Sequence, residues 1–441
     1  MKILLLAPPV YIPTVMPYSL AMMKAVLTSS LKDEIKALDL NALYHYNGFK
    51  EFYFRQGKED FFLLLEKFVN KARSVYPAIS KDVLAQKKPG GYDLVMTSIL
   101  KENPDVVAIS LTYNSQVFFT KAIISELQEK GIKVVLGGPA DYSKIMENTV
   151  VLPDFEKLLE YLVSLGAARK ETGPLHLDYS DFQPEHYFTT ELIYPLRTSS
   201  SCPYQRCAFC THHGNSPYNC MDLSLIKEAI IRNKMKKVCF IDDDFPIPRL
   251  KELAELLAPL QIEWWCQLRP TKKVLEVLPQ LWKSGLRSVS WGVESGSQRV
   301  LDLIEKGTKI EEVEEVLREG KRLGLKNIVY VLFGFPTETE EEFRQTLSFL
   351  EKNSANIDLV SPSVFGLQQG SRAYSEAERF GVKKITFQDR TFLSDKISYE
   401  PVSGLSNEEA KLLKKKSLSE INKINKVPRI ITACKEQILN M

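Results

Sequence analysis

The sequence predicts an α/β protein in two parts, an open parallel sheet followed by a half-closed or closed parallel β/α barrel, with a small extension at the carboxyl end. Three observations carry that expectation. The 441 residues exceed one ordinary core. Short apolar runs alternate with helix-length segments in two separate stretches, and strand–helix–strand with short turns implies right-handed crossovers and parallel strands. Between those stretches, "GAARKETGPLHLDYSDFQPEHYFTT" loses all periodicity. The boundaries expected are 1–165 for the first part, 166–195 for a linker lying over the surface of both neighbours, 196–370 for the barrel and 371–441 for the extension.

In the first part, "KILLLAPP" is an apolar run closed by prolines, as a buried parallel strand would be. A helix over "PYSLAMMKAVLTSSL" follows, then strands at "EIKALDLN" and "PDVVAISLT", a helix over "QVFFTKAIISELQEKG" and a strand at "KVVLGGP". Residues 45–100 are aromatic-rich and read as helices. Ligands of open sheets bind beyond the carboxyl ends of the strands. The loops to watch are therefore Ala7 to Pro9, Leu111 to Gln116 and Gly137 to Pro139.

The second stretch holds six strand patterns: "LIYPLRTS", "KVCFIDDDF", "IEWWCQLRP", "SVSWGVESG", "NIVYVLFGFP" and "DLVSPSVF". In a parallel barrel the chemistry sits at the carboxyl-terminal strand ends. The unusual residues fall there: Cys202 to Cys210, Asp242 to Phe245, Gln267, Arg269, Glu294, Ser295 and Gly334 to Pro336. The extension reads as a hairpin ("KKITFQDRTFLSDKISYE") and a final helix opened by a Ser406/Glu409 capping box.

Composition narrows the function classes. Lys plus Arg is 58 and Asp plus Glu is 55, a near balance that gives no reason to expect nucleic acid as a partner. Seven cysteines is an odd, low count that argues for a reducing compartment rather than a disulfide framework. "MKILLLAPP" is too short an apolar run for a signal peptide, and no stretch reaches the length of a membrane span. The cytoplasm is the expected location.

"SSCPYQRCAFCTHHG" places Cys202, Cys207 and Cys210 in a Cys-x4-Cys-x2-Cys loop after a strand. A disulfide leaves one cysteine over. Zinc would take the three thiolates with His212 as a closed fourth ligand. A four-iron cluster would keep one iron without a protein ligand, where a small molecule can bind.

This loop, with Phe209 before the last cysteine, resembles the cluster motif of the radical S-adenosylmethionine (radical SAM) superfamily, whose usual spacing is x3 then x2. "IDDDF", "WGVESGS" and "VLFGFPTET" resemble, in order, the family's segments for the SAM amino group, ribose and adenine. The resemblance implies a [4Fe–4S] cluster on Cys202, Cys207 and Cys210. SAM would be held by Asp242, Asp243, Asp244, Phe245, Gln267, Arg269, Glu294, Ser295, Phe333 and Gly334. Reductive cleavage of SAM there would yield a 5′-deoxyadenosyl radical, and flavodoxin or ferredoxin would donate the electron. Arg269 has two readings, a carboxylate of SAM or substrate and an ordinary salt bridge. Cys220 is a candidate catalytic thiol set against an inert one, and Cys239 and Cys266 read as core.

The first part resembles the Rossmann-like cobalamin-binding domain that precedes some radical SAM barrels, through "LLLAPP", "LDLN", "ISLTYNSQ" and "LGGP". By that resemblance Pro8, Pro9, Asn41, Ser110, Thr112, Asn114, Ser115, Gln116, Gly137 and Gly138 would meet cobalamin. Two departures stand out. The axial-histidine pattern is reduced to His45 and Gly48, with Leu43 in place of the Asp, and His45 reads as a partly buried histidine beside Tyr44 and Tyr46. The usual G-E-G-E segment is replaced by "NTVVLPDFEKLLEYL". The function implied is cobalamin-dependent methylation of an unactivated carbon in a small molecule, lipid precursor or peptide. The alternatives are cyclisation, rearrangement or carbon–carbon bond formation without cobalamin, and a zinc-stabilised binding module.

Overall fold

The computed structural model describes the chain except residues 143, 145–148, 212–216 and 391–392. His212 and His213 therefore lie outside the described residues. Two compact units emerge. One comprises Met1–Pro195 with Glu228–Met235 and Arg390–Ser394, the other Leu196–Lys227, Lys236–Asp389 and Asp395–Met441.

The first unit is a parallel sheet of five strands: β1 (Lys2–Ala7), β2 (Glu34–Asp39), β3 (Val106–Ser110), β4 (Lys133–Gly137) and β5 (Val150–Val151), in the order β2-β1-β3-β4-β5. β1 is an interior strand, and Ile3 to Leu6 are wholly buried, as an apolar run covered on both faces requires. Helices Tyr18–Ser30 and Asn114–Glu129 make the crossovers into β2 and β4. The aromatic-rich stretch is helical, as expected: Leu40–Gly48, Lys50–Tyr53, Phe61–Leu84 and Tyr92–Lys101.

His45 is fully buried, which corrects the partly buried reading. Its Nδ1 meets the Asn41 carbonyl and its Nε2 the Tyr76 hydroxyl, both at 2.8 Å, and the ring stacks on Phe49. Burial pulls its pKa down to about 4, so it is a neutral, satisfied core residue.

Residues 166–195 do not behave as a surface linker. Phe188 stacks on Phe68 with centroids 4.2 Å apart, Tyr187 donates to Asp39 at 2.8 Å, and Lys24 bridges Asp178 and Asp181. The segment lacks periodicity because it is irregular backbone held by anchors. Its buried side chains include Leu177, Tyr179, Phe182, Tyr187 and Phe188.

The second unit is the half-closed barrel. Strands β6 (Ile193–Leu196), β9 (Lys237–Phe240), β10 (Glu263–Leu268), β11 (Leu286–Glu294), β12 (Lys326–Phe333) and β13 (Leu359–Val364) form one sheet in the order β13-β12-β11-β10-β9-β6. The order follows the chain strand by strand, and its two ends stay unpaired, so the barrel is partial. Between β6 and β9, β7 (Ser199–Ser200) and β8 (Asn219–Cys220) form a small antiparallel ladder. Cys239 and Cys266 are buried in strands, and Trp264 and Trp291 are core, their indole N–H groups donating to the Ser284 carbonyl and to Asn327. Gly285 precedes β11 at φ +103°, where a Cβ would lie 1.9 Å from the Ile262 carbonyl oxygen.

The extension forms the expected hairpin, β14 (Val382–Gln388) against β15 (Lys396–Pro401), and the helix Asn407–Ile424 opens on the Ser406/Glu409 capping box. Among the described residues no helix is long and apolar enough to cross a membrane.

Phe188 is the firmest anchor of the irregular segment. Phe188→Ala should lower the stability of the first unit by about 3–5 kcal/mol, read as an earlier urea transition; a midpoint shift no larger than that of an exposed Phe54→Ala variant would contradict the anchoring role.

Candidate active site

β6 leads directly into the cysteine loop. Ser201 (φ +62°) and Gln205 (φ +47°) adopt left-handed backbone, and Gln205 Nε2 donates to Ser201 Oγ at 3.0 Å. The longer x4 spacer thus turns tightly between its first two cysteines. Cys202, Cys207 and Cys210 are free, half-buried thiols. Burial raises the Cys202 thiol above its ordinary value, offset in part by the backbone amides of Gln205 and Tyr204. Burial pushes the Cys207 thiol up to about 11; Lys306 and Arg269 draw it down, while Glu294 and Cys210 add to the rise.

Two ion pairs surround this loop. Lys306 is buried, and its Nζ donates to Glu294 Oε1 at 2.8 Å. Glu294, at the end of β11, is itself in left-handed backbone at φ +68°. Arg269, just after β10, binds Asp244 through its backbone N–H (3.2 Å) and Nε (3.1 Å), and donates from Nη1 to the Lys306 carbonyl at 3.0 Å. Its guanidinium lies 3.4 Å over the Tyr204 ring. Arg269 thus makes the ion pair of the salt-bridge reading. A cavity of about 310 Å³ opens here, lined by Tyr204, Asp244, Phe245, Arg269 and Thr271 among others.

The remaining expected SAM residues divide. Asp243 meets Arg197 at 3.4 Å, and Gln267 Nε2 reaches the Asp242 carbonyl at 3.4 Å. The Asp242 carboxylate is taken up by the Thr198 N–H and hydroxyl and by the Ser199 hydroxyl at 2.6 Å, so its side chain ties β6 to β9. The Ser295 hydroxyl is engaged with Thr346 and with the Ser297 N–H. Phe333 packs on Phe343 inside the core. Gly334 (φ +74°) gives its N–H to Glu338 and accepts from the Tyr399 hydroxyl. Cys220 is exposed on the ladder beside Tyr218.

Three free thiols in one loop are a donor set that a four-iron cluster takes from a protein. A four-iron cube takes its cysteines at separate corners. Among the described residues no three Cys, His, Asp or Glu side chains converge on one ion position.

In the first unit the strand-end loops are laced together. Gln116, wholly buried, accepts the N–H groups of Thr112 and Tyr113 and donates to the Pro8 carbonyl, each at 2.8 Å. Ser115 donates to Val10 and Ser110 to Ser19, while Asn41 accepts from the Tyr11 N–H and Asn114 from the Asp141 N–H. Gly138 (φ +112°) sits where a Cβ would come 2.2 Å from the Leu111 carbonyl, so its lack of a side chain serves the chain's own packing; Gly137 lies beside the Leu152 carbonyl. Thr112, Tyr113, Asn114 and Ser115 remain exposed on the rim, a surface open to a flat ligand; Pro9 is buried in the loop after β1. In place of the acidic glycine segment stand β5 and the helix Phe155–Ser164, capped by Asp154.

Residues 196–350 match the family model described as "Radical SAM superfamily". Those residues form a radical SAM domain. Radical SAM domains work with SAM and a [4Fe–4S] cluster. An uncharacterized methyltransferase of Pyrococcus horikoshii is 24% identical over 63% of this chain and 70% of its own. The ribosomal protein uS12 methylthiotransferase RimO of Stenotrophomonas maltophilia is 23% identical over 67% of this chain and 71% of its own. The solved structure of the methyltransferase TsrM from Kitasatospora setae, with cobalamin and [4Fe–4S] cluster bound, covers 96% of this chain and 90% of its own at TM-score 0.59 and 16% identity. The cobalamin-dependent enzyme OxsB, with aqua-cobalamin bound, covers 94% of this chain and 66% of its own at TM-score 0.64 and 14% identity. Both likenesses are of fold: a Rossmann-like amino-terminal domain and a partial β/α barrel.

Sequence reasoning passed over Tyr204, Glu305, Lys306 and Glu338. Lys306 and Glu338 are buried charged groups, and only the tertiary structure shows what they touch. Burial pushes the Glu338 carboxyl up to about 7, and its Oε1 is buried without a hydrogen-bond partner. The folded state therefore binds a proton that the unfolded chain releases near 4.5, and stability falls as pH rises from there to about 7. Glu338→Gln keeps the acceptor for Gly334. It should equal the parent in thermal stability at low pH and exceed it at pH 8, by an amount on the order of 3 kcal/mol at most; parallel pH profiles of the two proteins would rule this out.

Proposed function

We propose that the protein is a cobalamin-dependent radical SAM methyltransferase acting on an unactivated carbon of a small molecule, lipid precursor or peptide. The supporting observation is the pairing of a radical SAM domain, with its three-cysteine loop at the end of β6, to an amino-terminal sheet folded like that of cobalamin-bound TsrM. When bound, the cluster and SAM supply a hydrogen-abstracting 5′-deoxyadenosyl radical, and the cobalamin supplies the methyl group.

The chain's residues have the following parts. Cys202, Cys207 and Cys210 hold the cluster. Lys306 places a paired cation near Cys207, which favours the thiolate needed for ligation. Asp243 and Gln267 stand at strand ends to meet the polar groups of SAM, and Glu294 does so while pinned by Lys306. Asp244 and Arg269 keep the wall of the cavity rigid, and Phe245 and Tyr204 exclude water from it. Thr112, Tyr113, Asn114 and Ser115 would hold the cobalamin edge. His45, with both ring nitrogens engaged, cannot serve as a cobalt ligand. A flavodoxin or ferredoxin would deliver the electron.

One observation favours a second reading without cobalamin: the glycine-bearing acidic segment has become a capped helix. Purified anaerobically, the protein should be brown with about four irons and four sulfides per chain, and a triple variant with Cys202, Cys207 and Cys210 changed to Ala should be colourless. Zinc-bearing, colourless parent protein would sink the radical SAM assignment of these ligands. Hydroxocobalamin should leave a stoichiometric visible spectrum after desalting, and its absence would select the cobalamin-free reading. The product's added mass then separates methyl from methylthio transfer.

A further inference from the structure

The segment after β13 has no part in the functional reading above, yet it reaches the cysteine loop. Its short helix Arg372–Ser375 begins at buried Ser371. The Ala373 N–H donates to the Ala208 carbonyl at 2.8 Å, and Arg372 Nη1 donates to the Arg206 carbonyl at 3.3 Å. From the other side, the Ala208 N–H donates to the Ile304 carbonyl at 2.9 Å and the Tyr204 hydroxyl to the Glu305 carbonyl at 2.9 Å. The three successive peptide groups around Cys207 thus each have a partner outside the loop. The Arg206 carbonyl accepts from Arg372, the Ala208 N–H donates to the Ile304 carbonyl, and the Ala208 carbonyl accepts from the Ala373 N–H. Ala208 is wholly buried in a cluster with Ile304, Phe335, Ala373 and Phe380.

Arg372 is the charged part of this arrangement. Its guanidinium is shared between Glu305 and Glu376, and Arg379 also binds both of those carboxylates. Its fork therefore spans Glu305, which follows the Ile304 acceptor, and the carbonyl entering Cys207. Close by, Gly307 (φ +66°) leaves room for Tyr204, whose hydroxyl would lie 2.2 Å from a Cβ there.

We propose that Arg372 is a positioning residue for the cluster: held by Glu305, it fixes the carbonyl entering Cys207 while its neighbour Ala373 and Ile304 fix Ala208 on the other side, so that the carboxyl-terminal extension holds the ligand loop in shape. The inference rests on the radical SAM reading of the three cysteines. Arg372 acts through the backbone and meets no reacting atom. Its effect belongs to how long the cluster is kept rather than to the chemistry done with it.

The experiment uses the full chain, reconstituted anaerobically without SAM, and follows iron release to ferrozine. Losing one ion-pair-supported hydrogen bond should speed release in Arg372→Gln by about ten-fold or more. Arg372→Lys, which keeps the charge but loses the fork, should fall between the parent and Arg372→Gln. Arg344→Gln, which breaks the exposed pair with Glu340 on a helix away from the loop, should behave as the parent. Unfolding midpoints are measured alongside, and should Arg372→Gln fail to fold, Glu305→Gln is expected to speed release in the same direction. Release unchanged in the folded variant, or an equal acceleration in Arg344→Gln, overturns the clamp while leaving the radical SAM reading intact. A parent chain that takes up no four-iron cluster overturns both.

Discussion

The mouth of the half-barrel depends on the pairing of charges that would be costly to bury alone. Lys306 is almost fully enclosed, and an unpaired ammonium there would give up its proton or exclude the fold. Glu294 removes that cost and is held in an unusual backbone conformation while doing so. Arg269 closes the second pair with Asp244 and, through the Lys306 carbonyl, ties the two pairs into one network. The cysteine loop is built against this network, with Tyr204 on the Arg269 guanidinium and Cys207 within the field of Lys306. Replacing either cation alone would leave a buried carboxylate beside the thiols.

The first unit uses a neutral version of the same economy of contacts. One amide, Gln116, satisfies backbone groups from the loops after β1 and β3 at once, and the Gly138 turn comes close enough to touch Leu111. These loops are rigid because their hydrogen bonds run to one another. Exposed among them are Thr112 to Ser115 and the Gly138–Pro139 turn, at the carboxyl ends of the strands.

Legibility in the sequence followed periodicity. Every strand of the half-barrel was visible, since buried parallel strands are short apolar runs with turn residues after them, and the hairpin and capping box of the extension were equally local signals. Residues 166–195 were misread as surface because anchors such as Phe188 sit at irregular spacing and find their partners far away in sequence. Among the site residues, position at a strand end was legible but orientation was not. Asp242 and Asp244 are two residues apart in one motif, yet one carboxylate ties strands together and the other faces Arg269.

By itself the sequence carried the resemblance to the radical SAM superfamily and placed its cysteine loop after the first strand of the half-barrel. The spacing of Cys202, Cys207 and Cys210 after a strand, and the order of six strands, depend only on local pattern, which the chain carries wherever it folds. Tertiary structure alone decided which polar groups are taken up by the fold and which remain for a ligand. It showed that His45 is core, that Arg269 pairs with Asp244, and that Arg372 reaches the cysteine loop across 166 residues of chain. Hydrogen bonds and ion pairs between distant segments leave no periodic trace, because their partners are chosen by the packing of the sheet and not by their neighbours in sequence.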